Sequence, residues 1–159
     1  MAQMRVLENE KLKIQVSDDG AELCSVYDKV RGREALWTAD PKYWARHAPV
    51  LFPFVGKVNG GHYIYEGKQY PMGQHGFARD RRFECVETGE AHVTHRLKSD
   101  EESKKVYPFD FVLEVTHRIE GNRVTVEWKV ENPGDKRLYF SIGGHPGFCV
   151  TQQEGCTLV

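Results

Sequence analysis

The 159 residues carry 22 basic and 23 acidic side chains, a formal charge of −1, and a hydrophobic fraction of 40%. That suffices for one domain with a proper core and argues against a disordered chain. The charges are spread without long blocks, which excludes a nucleic-acid surface, and the longest mainly apolar stretch, APVLFPFVG at 48–56, holds two prolines and is far too short to span a bilayer.

The start, MAQMRVLENEKLKIQV, places charges where a secretory signal needs its apolar segment, which predicts a cytoplasmic protein. LKIQV and AELCSVYD read as strands flanking the turn SDDG. DPKYWAR, at 40–46, has the form of an aspartate cap with proline at the first helical position; it is the one stretch that predicts a helix, of a turn or two. HYIYEG and KQYPM flank Gly67, and RFECVET leads through Gly89 to AHVTHRLKS, again as short strands and turns.

FVLEVTHRI alternates Phe111, Leu113, Val115, His117 and Ile119 against polar positions, EGN supplies a turn, and RVTVEWKVEN puts Val124, Val126, Trp128 and Val130 on one face. Period-two alternation around a turn predicts a hairpin with one face buried. ENPGDKR interrupts the pattern before RLYFSI resumes it, so a three-stranded meander is expected to run into His145. Many short strands with frequent turn signals predict an all-β chain, an antiparallel sandwich.

The four cysteines, Cys24, Cys85, Cys149 and Cys156, form no CxxC pair and are expected as free thiols, Cys24 and Cys149 packing as small hydrophobes. Among the seven histidines, His92 and His95 are closest, but positions three apart on a strand point to opposite faces, so they are read as solvated strand positions and no metal is expected. His117 falls on an apolar face and is expected as a hydrogen-bonded core histidine.

Two histidines stand apart. FSIGGHPGF surrounds His145 with three glycines and a proline, and MGQHGFARD sets His75 before a glycine and an aromatic residue. Backbone freedom of that kind either makes a tight turn in which the histidine is incidental or holds it at a strand end facing a cavity, and a curved sheet could bring both imidazoles to one concave face. Arg79 either donates to a polar ligand or pairs with a carboxylate such as Asp80.

ARHAPVLFPFVGK, GQHGFARD and SIGGHPGF, in that order from Ala45 to Phe148, resemble the aldose 1-epimerase (galactose mutarotase-like) proteins, and among them the lactose-operon X-like branch. The resemblance implies an antiparallel β-sandwich with a sugar cleft on a concave sheet, and chemistry that needs no cofactor. It implies that His145 is the general acid on the pyranose ring oxygen and that His75 positions and polarises that oxygen. Opening a cyclic hemiacetal needs a proton delivered to the ring oxygen and another taken from the anomeric hydroxyl, and imidazole exchanges protons near neutral pH.

Arg46, Lys57 and Arg79 are the expected polar sugar contacts, Lys57 standing where many relatives have arginine and so lacking its planar fork. Phe77 and Phe148 are the expected stacking surfaces. The family's domain is about twice as long, and its general-base glutamate lies in the half not present here. Residues 1–159 are therefore expected to be the N-terminal portion of one sandwich, truncated, with TQQEGCTLV looking like the start of another element. The expected partners are a monosaccharide and a second copy of the chain covering the missing half, with no nucleic acid and no membrane. A sugar-binding protein without turnover and a hexose-6-phosphate epimerase, using Arg79, Arg81 and Arg82, remain as alternatives.

Overall fold

The structure is a computed structural model that describes residues 3–150. In chain order its strands are β1 (Met4–Glu8), β2 (Leu12–Ser17), β3 (Leu23–Asp28), β4 (Arg33–Glu34), β5 (Val50–Leu51), β6 (His62–Tyr65), β7 (Lys68–Pro71), β8 (Glu84–Thr88), β9 (His92–Lys98), β10 (Val112–Glu120), β11 (Arg123–Glu131) and β12 (Gly143–Gly144). β1 to β4 form one antiparallel sheet in sequence order, and β8 to β11 form a second in the order β11-β10-β9-β8. The pairs β6–β7 and β5–β12 are separate small antiparallel ladders.

The alternation in β2 and β10 decides which faces meet. Leu12, Ile14 and Val16 point inward from β2, and Leu113, Val115, His117 and Ile119 from β10. Leu7, Ile14 and Val16 of the first sheet, with Leu36 just after it, join Val93 and Ile119 of the second in one apolar cluster, so the two sheets share a core as a sandwich does. A second cluster gathers Phe52, Phe83, Tyr107, Phe111, Leu113 and Val115. Each such side chain contributes roughly 1.5–3 kcal/mol by leaving water.

Several expectations fail for local reasons. DPKYWAR is not helical: Asp40 accepts from the Lys42 N–H with its side chain and from the Tyr43 and Trp44 N–H groups with its carbonyl, which closes turns instead. The α-helix is α1 (Glu101–Val106), where Asp100 accepts from the Ser103 N–H at 2.6 Å and Ser103 Oγ accepts from the Asp100 N–H at 2.9 Å. That reciprocal cap outweighs the weak apolar periodicity of EESKKV.

RLYFSI is not the third strand of the meander. Its backbone is held across the molecule, with the Tyr139 carbonyl accepting from the Tyr107 hydroxyl at 2.7 Å and the Ser141 N–H donating to the Pro53 carbonyl at 2.8 Å. Only Gly143–Gly144 then forms a ladder, with β5.

His95 is fully buried rather than solvated, its Nε2 at 3.1 Å from Asp18, which also takes a bidentate grip from Arg5. His117 is buried as expected, but its Nδ1 has no hydrogen-bond partner among the described residues. Cys24, Cys85 and Cys149 are free thiols; burial and Glu22 push Cys24 up to about 11, whereas Cys149 is exposed rather than packed, donating to the Leu36 carbonyl at 3.0 Å. Cys156 and the rest of 151–159 lie outside the described residues. Among the described residues no helix is long and apolar enough to cross a membrane.

Candidate functional site

His75 is held by backbone it cannot leave. Its own φ is +66°, in the left-handed region, and it follows that its position needs outside support. The support is a reciprocal pair: the His75 N–H donates to the Gly56 carbonyl at 2.7 Å, and the Gly56 N–H donates to His75 Nδ1 at 3.0 Å. With Nδ1 occupied as an acceptor, the neutral imidazole carries its proton on Nε2. The Gln74 carboxamide nitrogen lies 3.2 Å from that Nε2, so the amide turned about its bond presents its oxygen to the proton.

Gly76 explains the next position. The Phe52 carbonyl accepts from the N–H groups of both Phe77 and Ala78, at 3.0 and 3.1 Å, and a Cβ on Gly76 would lie 2.2 Å from that oxygen. The LFPFVG and HGF segments are thus two halves of one construction. The Phe52–Pro53 peptide within it is cis.

His145 leaves the β5–β12 ladder, its N–H donating to the Pro49 carbonyl at 3.2 Å. Two residues on, Gly147 donates to the His47 carbonyl at 2.8 Å and accepts from the Trp37 N–H at 2.9 Å. The His75 and His145 rings face each other with centroids 5.9 Å apart, across a hollow of about 530 Å³ that Trp44, Arg46, Gln74 and Arg79 also line. Burial lowers the His75 pKa below the ordinary imidazole value, helped by Arg79 and His145, which favours the neutral Nε2–H form.

The arginines of the hollow already make protein contacts, although the buried Arg79 Nε has no hydrogen-bond partner among the described residues. Arg46 donates to the Arg79 carbonyl at 2.9 Å and to Asp80, and stands 3.7 Å from Glu22. Arg79 donates to the Gln74 carbonyl at 2.9 Å and has Nε 3.7 Å from Asp80. Glu22 is itself held by the His47 and Ala48 N–H groups. No carboxylate lines the hollow among the described residues.

Of the residues singled out from sequence, His75, His145, Arg46 and Arg79 therefore come together. Lys57, Phe77 and Phe148 do not line this hollow. Phe77 packs on Tyr107 and Phe111 in the core, Lys57 is exposed beyond Gly56, and Phe148 bridges to Leu36 with 56% of its surface exposed. Trp44 and Gln74 were missed, although Gln74 stands inside GQHGFARD and Trp44 directly precedes ARHAPVLFPFVGK. His92 turns to Glu87 while His95 turns to Asp18, and no group of three His, Cys, Asp or Glu among the described residues is placed to hold a metal ion.

A sequence model of the family described as Aldose 1-epimerase matches residues 3–158. The chain belongs to the aldose 1-epimerase family. It is 36% identical over 155 residues to Protein LacX (plasmid) of Lactococcus lactis subsp. lactis, covering 94% of this chain and 52% of that protein. Among solved structures it is similar to a galactose mutarotase related enzyme from Lactobacillus acidophilus, with TM-score 0.93 and 41% identity over 98% of this chain and 52% of the other. A galactose mutarotase-like protein from Lactobacillus casei ATCC 334 gives TM-score 0.91 and 39% identity, covering 94% of this chain and 51% of the other. The chain thus spans about half the length of the aldose 1-epimerase relatives it matches, and its strands reproduce their all-β fold.

Proposed function

We propose that the chain provides the proton-donating side of an aldose 1-epimerase site, acting on the ring oxygen of a pyranose. The supporting observation is the pair of imidazoles 5.9 Å apart across one hollow, with Gly56 fixing His75 as an Nε2–H donor. In this reading His75 donates a hydrogen bond to the ring oxygen and remains neutral. His145 delivers the proton as the C1–O5 bond breaks. A base removes the proton of the anomeric hydroxyl, the aldehyde turns about C1–C2, and reclosure from its other face yields the other anomer.

The base is the unfilled role. Glu22 and Asp80, the carboxylates nearest the hollow's arginines, are engaged by Arg46 and by backbone N–H groups. The glutamate is accordingly assigned to the remaining length of sandwich that the relatives possess. Anomer exchange of D-galactose, followed by polarimetry, is the test. The 159-residue chain is expected to show weak catalysis that rises when the complementary half of a relative is added. His145→Gln is expected to lower the complemented rate by about 10²-fold or more through lost proton transfer.

The lack of a lining carboxylate also favours a second reading, sugar binding without turnover. Saturable binding of D-galactose with no exchange above buffer, with or without the added half, would select it. The phosphosugar alternative has less support, since among the described residues neither Arg81 nor Arg82 lines the hollow, Arg81 standing 3.7 Å from Asp100 and Arg82 3.7 Å from Asp18.

A further inference from the structure

One wall of the hollow is neither charged nor a hydrogen-bonding edge: the half-buried indole of Trp44, tilted at 56° to the His145 ring with centroids 5.2 Å apart. Its seat is built from three sides. The Trp44 N–H donates to the Asp40 carbonyl at 2.9 Å, and the Trp44 carbonyl accepts from Trp37 Nε1–H at 2.8 Å. Beneath the ring lies Gly147, where a Cβ would come within 2.9 Å of both Trp44 and Trp37. The side chain missing two residues after His145 is what lets the indole lie beside that imidazole.

We infer that Trp44 is the substrate platform of this site, the apolar C–H face of a pyranose resting on the indole so that the ring oxygen turns toward His75 and His145. The inference rests on the sugar reading above and names a residue for it. A fixed aromatic plane loses little freedom on binding and removes C–H surface from water, which a polar hollow with compensated arginines cannot do. It selects rings whose C–H bonds gather on one face over rings with hydroxyl groups projecting from both. Neither Phe77 nor Phe148 lines the hollow, so neither supplies that plane.

The test is a titration of the ¹⁵N-labelled 159-residue chain with D-galactose, following the Trp44 indole N–H, identified by its loss in Trp44→Phe, together with the His75 and His145 ring signals. All three are expected to move with one midpoint. Trp44→Ala is expected to weaken binding about tenfold or more and Trp44→Phe by less, since a smaller aromatic face remains. The indole shift in the unaltered protein needs no variant and keeps the inference exposed if the alanine form fails to fold. If the histidine signals move while the indole stays still, and Trp44→Ala binds within about twofold of the parent, the platform is overturned and the sugar site stands. If no signal moves, the sugar reading fails, and the platform with it.

Discussion

At His75 the neutral imidazole is tied down by the Gly56 N–H on Nδ1, whereas at His117 Nδ1 has no partner among the described residues and burial is the main cause that excludes the charge. Burial pushes His117 to about 3 from an ordinary 6.5, with His95 on the neighbouring strand adding repulsion, and His95 itself is lowered by burial against the pull of Asp18. The unfolded chain takes up a proton on such a residue as pH falls through about 6.5 while the folded chain does not, so stability present above that value is lost below it. Between pH 7 and 5 one such histidine costs about 2 kcal/mol. Urea unfolding across that range is expected to show at least this loss, and His117→Phe a shallower slope; an unchanged slope in that variant would remove His117 from the account. His117's burial was legible from alternation in FVLEVTHRI, but its unpartnered nitrogen was not, because satisfaction depends on groups from other strands. The same holds at the hollow. Glycines marked His75 and His145, while the indole beside His145 could be found only once the turn after Asp40 was seen to bring Trp44 alongside.

Among the elements, those whose evidence is local were the easiest to read. β10 and β11 follow from alternation and a two-residue turn at Gly121 and Asn122, and β2 from LKIQV. RLYFSI alternates as well as they do, yet its backbone partners are the Tyr107 hydroxyl and the Pro53 carbonyl, far away in sequence, and no periodicity reports them. α1 depends on a cap more than on an apolar face, since its buried side chain is Ser103. Asp100→Ala therefore removes a side-chain acceptor for the Ser103 N–H and the negative charge at the helix start, and is expected to cost about 1 kcal/mol. Asp100→Asn, which keeps the acceptor, is expected to cost less. Equal losses in chemical denaturation of the two variants would mean that charge at the helix start, or the contact with Arg81, outweighs the cap.

For the whole molecule, association turns on what covers the inward face of β11, where Val126 and Trp128 stand opposite the inward-pointing His117 and Val115 of β10. Among the described residues β11 pairs only with β10, so its other edge presents backbone groups without a strand partner there, and Val126 and Trp128 on it are 37% and 40% exposed. Tyr139 and Phe140 stand nearby in sequence at 55% and 45% exposed. An edge with apolar side chains and unpaired N–H and C=O groups favours association. The relatives carry about as much chain again, and that additional length is one source of cover. For the 159-residue chain studied by itself, a second copy is the other. It is expected to self-associate into a dimer or larger assembly burying more than about 1,000 Å² in total, with β11 at the contact. Trp128→Glu places a charge at the centre of that contact and is expected to shift the population toward monomer, with some loss of monomer stability as well, because the indole is more than half covered and packs on Gly144. Light scattering over a concentration series decides it. A monomer at every concentration would show that the edge is tolerated in isolation, and association unchanged by Trp128→Glu would move the contact to another face, such as the exposed edge strand β1 with Met4 and Val6.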